Sequence, residues 1–238
     1  MIATPAKDET ALKRAAAERA LGFVEDGMRL GLGTGTTADL FLELLAKRVQ
    51  SGLRIVGTPT SLRTADKARG LGIPMDELDA LGSLDLAVDG ADEADGRLDL
   101  IKGGGGALLR EKIVAASAKR MIVIADETKL VGRLGAFPLP VEVVPFGHGT
   151  TRKRICAAVR RLGYDNLAAV LRAKNGQPFR TDSGNYIYDC PFGAIGDAGA
   201  LAASLSPIPG VVDHGLFVGM ASALIIAGST GVTVMERK

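Results

Sequence analysis

The sequence predicts an α/β protein in which a parallel β-sheet domain is accompanied by a smaller α+β unit. In the first part of the chain, short apolar runs that end in glycine or aspartate alternate with segments that favour helix. This alternation is typical of βαβ units, whose parallel strands are buried on both faces. After Pro138 the order changes to strand, helix, two strands and helix, which is typical of an antiparallel α+β unit.

The elements of the first part follow from residue preferences along the chain. Alanine, leucine, lysine and arginine favour helix, whereas short, near-continuous apolar runs favour buried strands. Ser61 stands where a helix N-cap is expected. In order, the predicted elements are helix 9–23, strand 28–32, helix 40–49, strand 53–56, helix 61–69, strand 84–88, helix 107–119 and strand 121–125.

The segment after Pro138 predicts a second set of elements. The sequence Asp-Ser-Gly-Asn at 182–185 is typical of a turn that lets two strands pair. The predicted elements here are strand 141–144, helix 151–162, paired strands 167–171 and 186–189, and helix 196–204. The apolar segment Gly215–Val234 then predicts strands that complete the first sheet.

Composition limits the classes of ligand. With 47% hydrophobic residues the chain can bury a sizeable core. The net charge of +2, from 29 basic and 27 acidic residues, lacks the excess of cations that is typical of nucleic-acid binding. Aromatic residues make up only 4%, so stacking surfaces for bases or unphosphorylated sugars are poorly supplied. A phosphorylated ligand, bound by charge and backbone N–H groups, fits better.

The cysteines and the apolar segments indicate a protein of the cytoplasm. Cys156 and Cys190 form no CxxC pair, so neither a zinc site nor a disulfide framework is expected. The first residues are charged too early for a secretory signal. The longest apolar run, within Leu216–Ala227, is shorter than the roughly 20 residues that span a bilayer. We therefore expect a cytoplasmic protein.

Four loops follow predicted strands of the parallel sheet, which is where α/β proteins bind their ligands. The first, Gly31-Leu-Gly-Thr-Gly-Thr-Thr37, lacks the lysine of a nucleotide P-loop and the last glycine of a dinucleotide-binding fingerprint. Its backbone N–H groups and hydroxyls precede a helix and suit an anion, because the donors and the helix dipole both favour negative charge. A tight turn with an N-capping threonine is the alternative.

The second loop, Asp89-Gly-Ala-Asp-Glu93, is acidic. Asp89 directly follows a predicted strand, and the small residues Gly90 and Ala91 leave room for a ligand to approach. The neighbouring carboxylates of Asp89 and Asp92 can bind sugar hydroxyls or move protons. A divalent metal site is the alternative, although no histidine joins them.

The third loop contains four consecutive glycines, Gly103–Gly106, between Lys102 and a helix that carries Glu111. Such a run costs backbone entropy and is favoured where the main chain must contact a ligand or present N–H groups. A single glutamate on a helix is usually only solvated, but its position after this loop makes Glu111 a candidate proton carrier. The fourth loop, Asp126-Glu-Thr-Lys129, adds a cation.

Together and in this order, the loops resemble the type A family of ribose-5-phosphate isomerases. The similarity runs through nearly the whole chain, in the segments GLGTGTTA, VGTPTS, VDGADE, KGGGGALLREK, IADETK, FPLPVEV and IPGVVDHGLF. The resemblance implies a Rossmann-like parallel-sheet domain at 1–135 and 212–238, with an inserted smaller ferredoxin-like α+β domain at 136–211. It also implies an enzyme with no metal or organic cofactor, and a homodimer or dimer of dimers.

The resemblance assigns roles to individual residues. It implies the interconversion of D-ribose 5-phosphate and D-ribulose 5-phosphate through a cis-enediolate, in the non-oxidative pentose phosphate pathway, with Glu111 as general base. Asp89 is the candidate for ring opening, and Lys102 is the candidate cation beside the enediolate. The implied sugar-binding residues are Asp89, Gly90, Ala91, Asp92, Lys102, Gly103, Gly104 and Gly105. The implied phosphate-side residues are Thr34, Gly35, Thr36, Thr37, Lys129 and Lys13.

Three other classes share parts of this pattern. A CoA transferase would use a glutamate beside glycine-rich loops as a nucleophile, but features that bind the CoA nucleotide are not evident. An amino-sugar phosphate deaminase would pair its acids with a histidine, whereas His148 and His214 lie outside the four loops. A sugar-phosphate sensor would need an attached helix-turn-helix, for which the sequence leaves no room before the first predicted elements.

Overall fold

The backbone forms two units, each with its own sheets. A computed structural model describes residues 6–237, and the first five residues, on which the expectation about a secretory signal depends in part, lie outside that range. The described residues of the first unit are 6–91, 110–130 and 220–237, and those of the second are 92–109 and 131–219. The domain boundaries expected from the sequence, after residues 135 and 211, therefore fall inside the second unit.

Helices and strands alternate along most of the described chain. The helices are α1 (Ala6–Leu21), α2 (Thr36–Gln50), α3 (Leu62–Gly70), α4 (Leu78–Leu81), α5 (Leu108–Ala116), α6 (His148–Arg160) and α7 (Ala198–Leu205), with one 3₁₀ turn (Glu127–Lys129). The strands are β1 (Arg29–Leu32), β2 (Val56–Pro59), β3 (Leu86–Asp89), β4 (Glu93–Ala94), β5 (Leu100–Ile101), β6 (Met121–Asp126), β7 (Leu139–Val143), β8 (Val170–Leu171), β9 (Ala173–Lys174), β10 (Gln177–Pro178), β11 (Tyr186–Cys190), β12 (Val211–His214), β13 (Leu216–Phe217), β14 (Ala223–Gly228) and β15 (Gly231–Glu236).

The first unit is built on a six-stranded sheet in the order β15-β14-β6-β3-β1-β2. The strands from β14 to β2 are parallel, and β15 is antiparallel to β14. The strand order reverses between β1 and β3, which pair with Leu32 opposite Val88. In doubly wound sheets, ligands bind at such a switch point, beyond the carboxyl ends of the strands. The loops after β1 and β3 therefore lie where a ligand is expected.

Apolar side chains cover both faces of this sheet. On one face, Leu86 and Val88 of β3 belong to a buried cluster that includes residues of α1 and α2, among them Ala17 and Phe41. On the other face, Ala87 packs with Val114 of α5 and Leu84. Successive residues of a strand point to opposite faces, so a continuous apolar run supplies both layers. No helix within residues 6–237 is long and apolar enough to cross a membrane.

The predicted α/β class with a parallel sheet is confirmed, whereas one predicted strand is wrong. The sequence predicts a strand at 53–56, but β2 is Val56–Pro59, so the two share only Val56. Glycine, threonine and proline at 57–59 are a poor strand signal. Pro59 is tolerated because β2 is an edge strand of the sheet, where a missing N–H interrupts no ladder.

The second unit contains a four-stranded antiparallel sheet in the order β12-β7-β11-β8. Helix α6 follows β7 and α7 follows β11, which gives the ferredoxin-like order βαββαβ. Ile155 of α6 and Leu201 of α7 are fully buried and share a cluster with Val141 of β7. A further sheet in the order β13-β5-β4 completes this unit. The predicted α+β character of this part is confirmed.

The predicted pairing of 167–171 with 186–189 is confirmed only for a short stretch. Val170 and Leu171 pair with Asp189 and Tyr188, in antiparallel orientation. The hairpin of β9 and β10 intervenes between the two strands and is absent from the predicted elements. Its strands are only two residues long and exposed, so they carry no apolar pattern.

The expectation that Gly215–Val234 completes the first sheet needs correction. Only β14 and β15 join that sheet, whereas β13 pairs with β5 in the second unit. The N–H of Lys102 donates to the carbonyl oxygen of Gly215 at 2.8 Å. A Cβ at residue 215 would lie 2.1 Å from the carbonyl oxygen of Lys102, so glycine is required for this close approach.

Candidate active site

The loop after β1 ends at the N-terminus of α2, which has no side-chain cap. Gly35 is the N-cap residue, and its φ of 122° is a conformation that favours glycine. The first N–H groups of a helix have no partner within the helix, and here no side chain of the cap residue accepts from them. Thr36 is exposed at the first helical position and Thr37 is buried. This geometry suits the anion site expected from the sequence.

The hydroxyl of Thr34 lies in a cluster of four hydroxyl groups. Its Oγ1 is 2.8 Å from Thr60 Oγ1, 2.8 Å from Ser61 Oγ and 2.9 Å from Thr64 Oγ1. Thr64 Oγ1 also donates to the carbonyl oxygen of Gly33 at 3.0 Å. The cluster therefore ties the loop after β1 to the residues that follow β2. Sequence reasoning missed it, because Ser61 is predicted only as the N-cap of α3, a role that it also has.

Asp89, at the end of β3, is joined directly to the loop after β1. It is 3% exposed. Its Oδ1 accepts from the N–H of Thr34 at 3.0 Å and from the N–H of Gly90 at 2.7 Å. A Cβ at Gly33 would lie 2.3 Å from that same oxygen. The glycine at 33 therefore allows the carboxylate to approach the loop, and both lie at the switch point of the sheet.

Glu111 is buried, although a helical glutamate is usually solvated: it is 5% exposed. Its side chain and that of Asp89 line the same small cavity in the first unit. The other residues that line this cavity are mostly apolar: Gly31, Gly33, Thr60, Ala87, Val88, Val114, Ala115 and Met121. Asp89 and Glu111 thus line one small, mostly apolar cavity, and a buried, fixed carboxylate suits a positioned proton acceptor.

Helix α5 is held close to the sheet, which fixes the position of Glu111. Val114 lies one turn after Glu111, and its Cγ1 would be 2.4 Å from a Cβ at Gly31. A side chain at residue 31 would therefore displace the helix. Gly31 therefore helps to set the position of Glu111, the predicted base, because it lets α5 pack close to β1.

Lys129 lies in the 3₁₀ turn that follows β6. The buried carboxylate of Asp126 caps this turn by accepting from the N–H of Thr128 at 3.0 Å. Since β6 is next to β3 in the sheet, the turn is at the same carboxyl edge as Asp89. Within residues 6–237, Lys129 makes no ion pair.

Lys13, another of the expected phosphate contacts, lies on α1. It is paired with Glu9, one turn earlier on the same helix. No contact among the described residues joins Lys13 to the loop after β1. Its role therefore stays a prediction.

Asp92 belongs to the second unit, where it contacts the glycine loop. Its Oδ2 accepts from the N–H of Gly104 at 2.7 Å, and its own N–H donates to the carbonyl oxygen of Ile101 at 2.9 Å. A Cβ at Gly104 would lie 2.6 Å from Asp92 Oδ1. Residue 104 must therefore be glycine, because a side chain there would collide with Asp92, which is expected to bind the sugar. Ala91 and Gly90, which precede Asp92, are half-buried.

Lys102 is a buried cation at the end of β5, with 2% of its surface exposed. The expectation that the third loop follows a strand of the parallel sheet is wrong, because β5 pairs in antiparallel orientation with β13 and β4 in the second unit. Its Nζ lies 5.6 Å from the centre of the Phe217 ring, within range of a cation–π interaction. Gly103, which follows, has a φ of 107° that favours glycine. Gly105 is exposed next to Gly104.

The third acid of the second loop, Glu93, has a structural role. Its buried carboxylate accepts from the N–H of Gly135 at 2.7 Å and from the N–H of Phe137 at 2.6 Å. Among residues 6–237, no group of three or more His, Cys, Asp or Glu side chains is arranged to hold a metal ion. Each of the loop's acids thus has a different surrounding: Asp89 faces the first loop, Asp92 the glycines and Glu93 the segment 135–137.

Comparisons with known proteins agree on one family. Residues 56–231 match the family model described as ribose 5-phosphate isomerase A (phosphoriboisomerase A). Ribose-5-phosphate isomerase A of Nitrobacter hamburgensis is 58% identical over 228 residues, which cover 96% of this chain and 98% of that protein.

Solved structures show the same similarity. Ribose 5-phosphate isomerase from Plasmodium falciparum has a TM-score of 0.91 and 37% sequence identity, with 96% of this chain and 99% of that chain covered. A structure of D-ribose-5-phosphate isomerase in complex with phospho-erythronic acid has a TM-score of 0.88 and 40% identity, with 95% and 98% covered.

Proposed function

Because the chain belongs to the ribose 5-phosphate isomerase A family, we propose that Glu111 is the base that carries a proton between C2 and C1 of its substrate. The chain is an aldose–ketose isomerase that interconverts ribose 5-phosphate and ribulose 5-phosphate. Family membership selects this reaction over CoA transfer, amino-sugar deamination and sugar-phosphate sensing.

The burial of Glu111 beside Asp89 is the observation that carries the proposal. A base must lie within reach of the proton it removes and must be held there. Glu111 is on a helix that packs closely against Gly31, and it lines the same cavity as Asp89. The two acids therefore have fixed positions at the carboxyl edge of the sheet. Glu93 differs from them, because both of its carboxylate oxygens accept from backbone N–H groups of the segment 135–137.

The proposed reaction starts with opening of the sugar ring. Asp89 accepts the proton of the anomeric hydroxyl, the bond between C1 and the ring oxygen breaks as the C1 carbonyl forms, and Asp89 returns the proton to the former ring oxygen. Glu111 then removes the proton from C2 of the open aldehyde. The electron pair of the broken C–H bond forms the C1–C2 double bond, and the negative charge moves to O1 in a cis-enediolate.

The second half of the reaction returns Glu111 to its starting state. The proton of O2 passes to O1, so the negative charge moves to O2. Glu111 gives its proton to C1 as the C2 carbonyl forms, which yields the ketose. No atom is lost or gained, and the same carboxylate serves as base and then as acid.

The phosphate group is proposed to bind at the N-terminus of α2. The N–H groups after Gly35 have no side-chain cap, Thr36 is an exposed residue with a hydroxyl donor, and the helix dipole favours negative charge there. Lys129, at the same edge of the sheet, supplies a cation. Thr34 is proposed to contact the phosphate as well, and its hydroxyl cluster holds the loop in place.

The roles of Lys102, Asp92 and Gly103–Gly105 rest on the sequence resemblance. We propose that Lys102 and backbone N–H groups of the loop stabilise the negative oxygen of the enediolate, and that Asp92 contacts a sugar hydroxyl. One preorganised donor of this kind is worth about 3–4 kcal/mol in the transition state. A solved relative binds phospho-erythronic acid, a phosphorylated sugar acid, which supports a phosphorylated sugar as the ligand of this chain.

A pair of substitutions at Glu111 tests the proposal. Glu111→Gln keeps the size of the side chain but removes the base, so we expect kcat to fall roughly 10²–10⁴-fold. Binding of phospho-erythronic acid should change little. Glu18→Gln is the matched control, because Glu18 is an exposed glutamate that pairs with Arg14 on α1. Turnover by Glu111→Gln close to that of the control would overturn the proposal.

Three further properties are proposed: a homodimer or dimer of dimers and activity without metal or organic cofactor, both from the resemblance, and a cytoplasmic location, from the sequence pattern. Sedimentation equilibrium measures the first. Ribulose 5-phosphate formation after treatment with EDTA tests the second, since activity restored only by added metal would contradict it. Fractionation of the source cells tests the third.

A further inference from the structure

We propose that Arg172 is a positioning residue that holds the glycine loop Gly103–Gly106 in the conformation that binds substrate. This inference rests on the proposed function, in which backbone N–H groups of that loop contact the sugar. Every contact that supports it lies within the second unit. Arg172 stands between β8 and β9, 69 residues away from Gly103 in the sequence.

One guanidinium joins the loop to a strand of the four-stranded sheet. The side chain of Arg172 is 15% exposed. Nε and Nη2 donate to the two carboxylate oxygens of Asp189 on β11, the first of them at 3.0 Å. Nη1 donates to the carbonyl oxygen of Gly103 at 2.8 Å and to that of Gly104 at 3.2 Å. The planar group thus binds a carboxylate with one edge and two loop carbonyls with the other, an arrangement specific to arginine.

The two carbonyl contacts determine where the loop's N–H groups point. A peptide bond is planar and trans, so a fixed carbonyl fixes the following N–H in the opposite direction. The N–H of Gly104 reaches Asp92 Oδ2 at 2.7 Å. The N–H of Gly105 points away from Arg172, is exposed, and has no hydrogen-bond partner among residues 6–237. It is therefore available to a ligand.

Phe179 supports the other end of the loop. The guanidinium carbon of Arg172 lies 5.9 Å from the centre of the Phe179 ring, and the N–H of Phe179 donates to the carbonyl oxygen of Arg172 at 2.8 Å. A Cβ at Gly106 would lie 2.5 Å from the same ring. The ring thus packs against both Arg172 and the last glycine of the loop.

The loop needs such a support because its own sequence gives it little rigidity. Glycine has the largest conformational freedom of all residues, and each residue that is fixed loses that freedom. Gly103 and Gly106 adopt positive φ values of 107° and 82°. The only backbone hydrogen bond across the loop in the described chain is from the N–H of Gly106 to Gly103, at 3.0 Å. Arg172 supplies two further hydrogen bonds.

Arginine variants test the inference by the kcat and KM of the isomerase. For Arg172→Met and Arg172→Lys we expect kcat to fall at least tenfold with KM changed little, because loop donors act on the charge that develops in the enediolate. Lysine should rescue little, since it cannot bind Asp189 and two carbonyls at once. Arg180→Met is the matched control: Arg180 donates to the carbonyl of Gly184 at 3.1 Å, outside the glycine loop.

A second readout separates positioning from folding. Asp189→Asn removes the charge that anchors Arg172 and should give a smaller fall in kcat, and it carries the test if Arg172→Met does not fold. For Arg172→Ala, guanidinium ion at a non-denaturing concentration should restore part of kcat, whereas urea should not. Wild-type kcat in folded Arg172→Lys and Asp189→Asn, or an equal loss in Arg180→Met, would overturn the inference.

The result with Glu111→Gln keeps the two proposals apart. If Glu111→Gln is inactive while the Arg172 variants have wild-type kcat, only the role of Arg172 is refuted. If Glu111→Gln turns over normally while the Arg172 variants are impaired, the base assignment is refuted and the positioning role stands.

Discussion

The close approach of Gly33 to Asp89 predicts a large effect from a single methyl group. In Gly33→Ala, the new Cβ would lie 2.3 Å from Asp89 Oδ1, 2.4 Å from its Cγ and 2.6 Å from its Cα. Ordinary contacts of a Cβ begin at about 3.4 Å, so atoms must separate by about 1 Å. Rotation of the Asp89 side chain cannot relieve the overlap, because its Cα is also too close.

The displacement should affect both stability and catalysis. Overpacking of this kind typically costs 1–3 kcal/mol. The carboxylate must also give up its hydrogen bond from the N–H of Thr34, or that bond must lengthen. A displacement of about 1 Å in a catalytic group can cost roughly 10²-fold in rate. We therefore expect kcat/KM to fall about 100-fold while the protein still folds.

The assay pairs urea unfolding with isomerase kinetics, and Gly70→Ala is the control. Gly70 is in the last turn of α3, and a Cβ there would meet nothing within 4 Å. Alanine at such a position should leave kcat/KM unchanged and stabilise slightly, by up to about 1 kcal/mol. Gly33→Ala with wild-type kcat/KM would refute the idea that this contact positions Asp89 for catalysis.

Three other variants make separate predictions. Lys129→Ala should mainly raise KM, because the phosphate is bound alike in the ground and transition states; a fall in kcat alone would contradict its role. Asp89→Asn should lower the initial rate with the ring form of the substrate more than the initial rate with an open-chain analogue, because Asp89 is proposed to open the ring. Burial raises the pKa of Glu142, although hydrogen bonds from Asn185 and Thr181 lower it. Folding therefore favours the protonated form of Glu142. The free energy of unfolding should fall as pH rises from about 4.5, the ordinary pKa of a glutamate, through the raised pKa of Glu142. Glu142→Gln should remove this pH dependence, as measured by urea midpoints.

Features that depend on neighbouring residues could be predicted from the sequence. The glycines and threonines after β1 and the acids after β3 stand directly at strand ends, and the order of strands and helices brings those ends to one edge. The burial of Glu111 was not predictable from its own helix. It depends on Gly31 and Val114, which allow α5 to approach the sheet.

Other features depend on residues that are far apart in the sequence. The hydroxyl cluster joins Thr34 to three residues that are 26 to 30 positions away. Arg172 contacts a loop 69 residues before it. Leu216 and Phe217 are apolar and would suit either sheet, and pairing with Ile101 and Leu100, rather than composition, places β13 in the second unit. Local patterns contain no information about such contacts.

The central claim is that Glu111 carries the proton, and exchange at C2 measures this directly. Ribose 5-phosphate is incubated with enzyme in D₂O, and NMR follows deuterium entering C2 of the remaining ribose 5-phosphate and, separately, the formation of ribulose 5-phosphate, for the wild type, Glu111→Gln and Glu18→Gln. We expect exchange and isomerisation in the wild type and in Glu18→Gln, and exchange slower by roughly 10²–10⁴-fold in Glu111→Gln. Exchange in Glu111→Gln at a rate near that of the wild type would show that another group removes the proton.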